Sequence, residues 1–153
     1  MKKTIFDLIL SKEIDSWVIW EDKKFLAFLT PYPNTPGASV VIPKLNPGDY
    51  LFDLDDNLIA DLMIAAKKVA RISEKALRVK RVALVIEGTG VPYVHVKLYP
   101  LHGQLANQTN VWPSHQEFYQ NYIGYLTTCE GPKMDDLQLS DIQKKFINLK
   151  NPK

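Results

Sequence analysis

The segment VPYVHVKLYPLHG, residues 91–103, sets the reading of the whole chain. Val94, Val96 and Leu98 alternate with Tyr93, His95, Lys97 and Tyr99. Strand side chains alternate between faces. An apolar set therefore points one way, and a phenol, an imidazole, an ammonium and a second phenol point the other. Same-face neighbours stand about 7 Å apart, two rises of roughly 3.4 Å, so one small anion is able to touch His95 and Lys97 together. Imidazole titrates near neutrality and can attack phosphorus or carry a proton. An ammonium binds phosphoryl oxygens and offsets charge in a transition state. Gly88-Thr89-Gly90 precedes the strand, and glycine lets backbone N–H groups approach an anion closely. On chemistry alone, a phosphate site and a solvated strand face both stay open.

Outwards from this strand the pattern is one of short strands and few helices. Ile5, Phe6, Leu8, Ile9 and Leu10 read as a short amphipathic helix over Thr4 to Lys12, with Thr4 as its cap. Trp17 to Trp20 and Lys24 to Thr30 read as a hairpin closed by Glu21-Asp22-Lys23. PYPNTPG, residues 31–37, excludes a regular element. Ala38 to Pro43 is a third strand. Leu58, Leu62, Ala65, Val69, Ile72 and Ala76 recur at helical spacing, and Asp55 and Asp56 suit a helix N-terminus, so a long helix is expected at about 55–77. Lys67, Lys68 and Arg71 lie off that stripe as a solvated face. Arg81 to Ile86 is a fourth strand and the opening segment the fifth. Beyond Pro100 helical stretches are expected at Gln116 to Leu126 and Leu137 to Leu149, with Asp135 or Ser140 capping the last. Strands joined by short turns and one helix predict an antiparallel-rich α+β domain.

A chain of 153 residues fits one domain and is long enough to bury a core without staples. With a net charge of +2, electrostatics alone does not indicate nucleic-acid binding. One cysteine, Cys129, excludes an intrachain disulfide and agrees with a reducing compartment. The N-terminus lacks a signal-peptide pattern and no run reaches the length of a membrane span. A cytoplasmic location and no membrane partner are the expectations.

From Thr4 to Pro100 the chain resembles the histidine triad (HIT) family of nucleotide hydrolases and transferases. TIFDLILSKEI resembles the family's opening helix, and WVIWEDKKFLAFLTPYPNTPGASVVIPK its three-strand meander with the Val-Ile-Pro-Lys exit. The signature His-φ-His-φ-His-φ-φ, where φ is apolar, aligns with Tyr93-Val94-His95-Val96-Lys97-Leu98-Tyr99. The resemblance implies that His95, the middle histidine, is a nucleophile at the α-phosphorus of a nucleotide. It also implies a homodimer and a nucleotide-like phosphate ligand. The outer histidines are replaced by Tyr93 and Lys97. Asn46 stands where many members have another histidine, and Thr30 where many have a ribose-binding aspartate. Thr4-Ile5-Phe6-Asp7 replaces the Cys-x-x-Cys of a zinc-binding branch, so no structural zinc and no required cofactor are expected, with Mg²⁺ accompanying a polyphosphate substrate at most.

These readings combine into an expected HIT-like fold. It is a five-stranded antiparallel sheet with one long and one short helix over residues 1–103, and a partly helical extension over 104–153 packed on or beside it. His95, Lys97, Tyr93 and His102 are the catalytic candidates. His102, just past the strand, is either the missing acid–base group or a surface loop residue. Gly88, Thr89, Gly90, Glu87 and Lys44 are the candidates for holding the nucleotide, with Glu87 taking a sugar hydroxyl or simply pairing with Lys97. Tyr32, Phe28 and Trp20 either wall a base pocket or pack. His115 reads as structural or exposed. Two functions remain: a phosphohydrolase or nucleotidyl transferase, and a non-catalytic nucleotide-binding module that has lost the full triad. The aromatic WPSHQEFYQNYIGYL stretch raises a third, an interaction surface. A His95 buried against the core, or capped by a fixed salt bridge, would count against catalysis.

Overall fold

The computed structural model describes residues 3–103 and 133–150. In chain order these form α1 (Ile5–Leu10), β1 (Trp17–Glu21), β2 (Phe25–Leu29), β3 (Ser39–Pro43), a 3-10 turn (Leu51–Asp53), α2 (Asp56–Leu77), β4 (Val82–Glu87), β5 (His95–Pro100) and α3 (Asp136–Lys150). The five strands make one antiparallel sheet in the order β1-β2-β3-β5-β4. The expected α+β architecture is the one observed. The helix expected at Gln116 to Leu126, His115 and the rest of the aromatic stretch lie outside the described residues.

Local chemistry accounts for the helix ends. Thr4 and Asp7 form a reciprocal capping box at the start of α1, with Thr4 N donating to Asp7 Oδ2 at 2.7 Å and Asp7 N to Thr4 Oγ1 at 3.2 Å. Asp55 caps α2 by accepting from Asn57 N at 2.9 Å. Asp135, one of the two caps expected from the sequence, accepts from Leu137 N at 2.9 Å and Gln138 N at 3.3 Å at the start of α3.

The sheet carries two cores, one on each face. On the first, Leu62, Ala65, Ala66 and Val69 of α2 and Leu139 and Phe146 of α3 pack on Ile19, Ala27, Leu29, Val41, Val94, Val96 and Leu98. Gln143 of α3 donates to the Val18 carbonyl at 3.0 Å, and Met134 N to the Pro31 carbonyl at 2.9 Å. These contacts tie the last helix to the edge of the sheet. On the second face, Phe6 of α1 packs on Leu26, Phe28, Val40, Ile42 and Tyr93. The alternation read from residues 93–98 thus distributes side chains to both faces as expected.

Candidate active site

The polar side of this strand is buried at Tyr93 and His95 and half-buried at Lys97. α1 lies over it, and the Phe6 ring meets Phe28, Tyr93 and His95 edge-on at centroid distances of 5.9, 5.5 and 5.1 Å. The solvated-face reading of this strand is corrected: a strand's own sequence shows which side chains share a side, not what covers that side.

Tyr93 is fully buried and its hydroxyl donates to the Pro43 carbonyl at 2.5 Å. Burial pushes its pKa up, and the nearby Asp7 carboxylate adds to this. Its proton is engaged with the backbone. His95 is 2% exposed. Its Nδ1 lies 2.8 Å from the Tyr93 carbonyl. A carbonyl only accepts, so Nδ1 carries the proton of the neutral ring and the lone pair is on Nε2. Burial lowers the His95 pKa and the Lys97 charge lowers it further; the Tyr93 hydrogen bond and the Glu87 carboxylate oppose this without reversing it. The ring is therefore neutral at pH 7, the state a nucleophile needs.

His95 Nε2 lies 3.7 Å from Glu87 Oε1, its partner across the β4–β5 ladder. The same carboxylate oxygen contacts Lys97 Nζ, and Thr89 Oγ1 donates to Glu87 Oε2 at 3.1 Å. Burial alone would raise the Glu87 carboxyl. The Lys97 hydrogen bond and charge outweigh that, with Thr89 and His95 adding, and hold it below the usual carboxylate range. The condition that would count against catalysis is met in part. His95 is buried and has a carboxylate beside it, yet the ring is neutral, so the contact with Glu87 is not an ion pair.

These groups form one end of a cleft of about 660 Å³ between α1 and the sheet. That volume falls within the range for small-molecule sites. His95, Lys97, Glu87, Thr89 and Gly90 line the polar end; Ile5, Phe6, Ile9, Trp17, Phe28, Leu29 and Tyr32 line the rest, with Asp15 and Thr30. Phe28 and Tyr32 are thus at the cleft, as a base-pocket reading requires. Trp20 instead packs at the first core with Lys68 Nζ 5.8 Å from its ring centroid. The sequence reading missed Trp17 and the α1 residues Ile5, Phe6 and Ile9. The helical periodicity of α1 was visible, but not the strand face on which it lands.

Other candidates lie apart. His102 Nε2 sits 3.0 Å from the Pro36 carbonyl, beyond the opposite end of β5, roughly 20 Å of extended chain from His95. Lys44 Nζ is 3.8 Å from Glu21 Oε1 and lines a separate cleft. Gly88 serves backbone contact, since a Cβ there would come within 1.9 Å of the Asp49 carbonyl oxygen. Asn46 accepts from Gly48 N at 2.9 Å in a local turn.

A five-stranded antiparallel sheet with a histidine and a lysine on one strand at the end of a nucleotide-sized cleft defines a fold and site class. The HIT domain family model matches residues 11–103, and the chain belongs to the HIT family. It is 30% identical over 118 residues to an adenosine 5′-monophosphoramidase of Saccharomyces cerevisiae, covering 73% of this chain and 71% of that protein. A 45-residue stretch is 49% identical to a 14 kDa zinc-binding protein of Zea mays, 29% of this chain and 35% of that one. A zinc-bound histidine triad family protein of Mycobacterium smegmatis superposes with a TM-score of 0.66 at 19% identity, covering 97% of this chain and 96% of that one, which speaks for the fold.

The zinc names correct one expectation. With Cys-x-x-Cys missing and a single cysteine in the chain, no structural zinc and no required cofactor were expected, yet the chain resembles proteins that carry zinc in their names. The inference from one absent motif was too narrow, because histidine and carboxylate also ligate zinc. Among the described residues no group of three or more His, Cys, Asp or Glu is placed to hold a metal. His95 and Glu87 make only a pair. Among the described residues no helix is long and apolar enough to cross a membrane.

Proposed function

We propose that this protein hydrolyses or transfers nucleotides at the α-phosphorus, with His95 as the nucleophile. The observation that carries the reading is the fixed tautomer of His95: Nδ1 is committed to the Tyr93 carbonyl, and Nε2 faces the cleft's only paired cation–anion end among the described residues. In the step proposed, the Nε2 lone pair forms an N–P bond. The bond from phosphorus to the leaving oxygen or nitrogen breaks with its electron pair, and the leaving atom is protonated from water. Water then attacks phosphorus, its proton passes to the solvent that had protonated the leaving atom, and the N–P bond returns its pair to Nε2. The ring is cationic in the intermediate, and the Tyr93 carbonyl and the Glu87 carboxylate offset that charge. Lys97 holds a phosphoryl oxygen, and Thr89 and Gly90 line the same end. The apolar walls from Phe28, Tyr32 and α1 suit a base. The similarity to an adenosine 5′-monophosphoramidase supports a phosphoramidate or related nucleotide as substrate.

Turnover of adenosine 5′-phosphoramidate by the full chain, beside His95→Asn, tests this. The variant is expected to lose at least about a thousandfold in kcat, the scale set by removing a nucleophile. Unchanged turnover in the variant would remove His95 from the mechanism. The burial of His95 and the engagement of Lys97 by Glu87 favour a second reading, a module that binds nucleotide without turning it over. It requires no turnover by either protein and AMP binding that His95→Asn leaves intact. A homodimer is part of the first reading. It is supported by Leu84, on the edge strand β4, and Met63 and Ile64 of α2, which are exposed around one apolar depression. Light scattering of wild type and Leu84→Lys checks it; a dimer that the charge converts to monomer is expected.

A further inference from the structure

We propose that Glu87 is a charge filter at the reacting phosphate, sharing Lys97 with the incoming group so that the site selects a singly charged phosphorus centre over a dianionic monoester. The inference rests on the nucleotide reading above. It goes beyond it by assigning Glu87 a specificity role and naming the charge class of the substrate.

The argument is geometric. Glu87 Oε1 contacts Lys97 Nζ and stands 3.7 Å from His95 Nε2, while Thr89 anchors the second oxygen at 3.1 Å. Attack by Nε2 needs phosphorus within about 3–3.5 Å. The phosphoryl oxygens must therefore enter the space beside the carboxylate, and Lys97 must divide its N–H groups between two anions. Lys97 and Glu87 cancel formally, and the imidazole beside Glu87 is neutral, so among the described residues this end of the cleft offers no surplus positive charge. One negative charge on phosphorus can be met by sharing Lys97. A second faces Glu87 with no further lysine or arginine among the described lining residues to offset it, and unit charges about 4 Å apart interact strongly even at an effective dielectric of ~20. Diesters and phosphoramidates carry one charge. A phosphate monoester carries close to two above its second pKa of about 6. Hydrolysis converts the first kind into the second, so the same carboxylate that admits the substrate weakens retention of the product.

Calorimetric titration of the full chain with AMP and with its methyl phosphodiester, at about pH 8 where the monoester is a dianion, tests the proposal. Wild type is expected to bind the methyl ester about tenfold more tightly than AMP. In Glu87→Gln the AMP affinity is expected to rise about tenfold and the preference to collapse. Equal affinity of wild type for the two ligands overturns the filter without any variant. So does a preference that persists in Glu87→Gln, or an equal weakening of both ligands there, which would make Glu87 only a support for Lys97. If neither ligand binds either protein, the nucleotide reading itself falls and takes the filter with it.

Discussion

The two faces of the sheet are made by alternate residues of the same strands, yet one is sealed and the other is open. At 1.5 Å per residue, α2 with 22 residues runs about 33 Å and α3 with 15 about 22 Å, whereas α1 with 6 covers about 9 Å. Five strands at about 4.8 Å spacing make a sheet roughly 19 Å wide. α2 covers β2 to β5 on that face and excludes water from Val94, Val96 and Leu98, while α3 covers β1. One short helix roofs only part of the opposite face, and the uncovered remainder is the cleft. The comparison teaches that the site is a consequence of helix length. α1 is long enough to desolvate His95 through Phe6 and too short to close over Lys97 and Glu87.

The most forceful way to break the comparison is to hollow each face in turn. Phe146→Ala on the sealed face is expected to cost about 3–5 kcal/mol in urea unfolding, since its cavity is closed to water. Phe6→Ala is expected to cost less, because the cleft already admits solvent, and to harm nucleotide binding, which Phe146→Ala should not do selectively. Equal costs would mean the faces are alike. A smaller effect, about 1 kcal/mol, is expected for Tyr93→Phe, which removes the hydrogen bond to Pro43. Turnover should stay near wild type there, and a large loss of turnover would return Tyr93 to the chemistry. Thr4→Ala should also cost about 1 kcal/mol by uncapping α1, with melting temperature as the readout and the open face the first to loosen.

The finest test is a slope. His95 has a lowered pKa in the folded protein, so the unfolded chain binds its proton first, near the ordinary value of about 6.5. The unfolded state then holds more protons, and stability rises with pH through that window. Acidification below about pH 6.5 should therefore destabilise wild type, and His95→Asn should lose that part of the dependence. Parallel pH–stability curves for the two proteins would show that the imidazole is not desolvated as the structure has it.

The elements of the fold were legible because their signals are local. The stripe from Leu58 to Ala76, the caps at Thr4, Asp55 and Asp135, and the prolines of 31–37 each act within a few residues. The site was legible as a strand face with His95 and Lys97 on it, Glu87 as a partner for Lys97 and a Thr89-Gly90 turn beside them. Its roof was not, because Phe6 reaches His95 from another element. The cross-strand pairing that sets Glu87 opposite His95 was also hidden, as it depends on register rather than composition. Trp20 was weighed as a base-pocket or packing residue and packs, while Trp17, which was not considered, lines the cleft. The irregularity in β1 between Val18 and Trp20 interrupts the alternation from which faces are inferred. His102 followed the strand too closely in sequence to look remote, yet it continues past the end away from the cleft.

The docking of α3 beside β1 has a consequence in time. Gln143 meets Val18 across 125 positions of sequence, and Phe146 fills a core whose other walls come from strands made long before it. During synthesis the cleft-bearing face has all its described parts once β5 is complete. The opposite face must wait for residue 146, with Ile19 of β1 lacking part of its cover. Contacts of such long range are the slow ones to form, and a nascent chain paused before α3 would present an unsealed apolar surface, the kind that recruits chaperones.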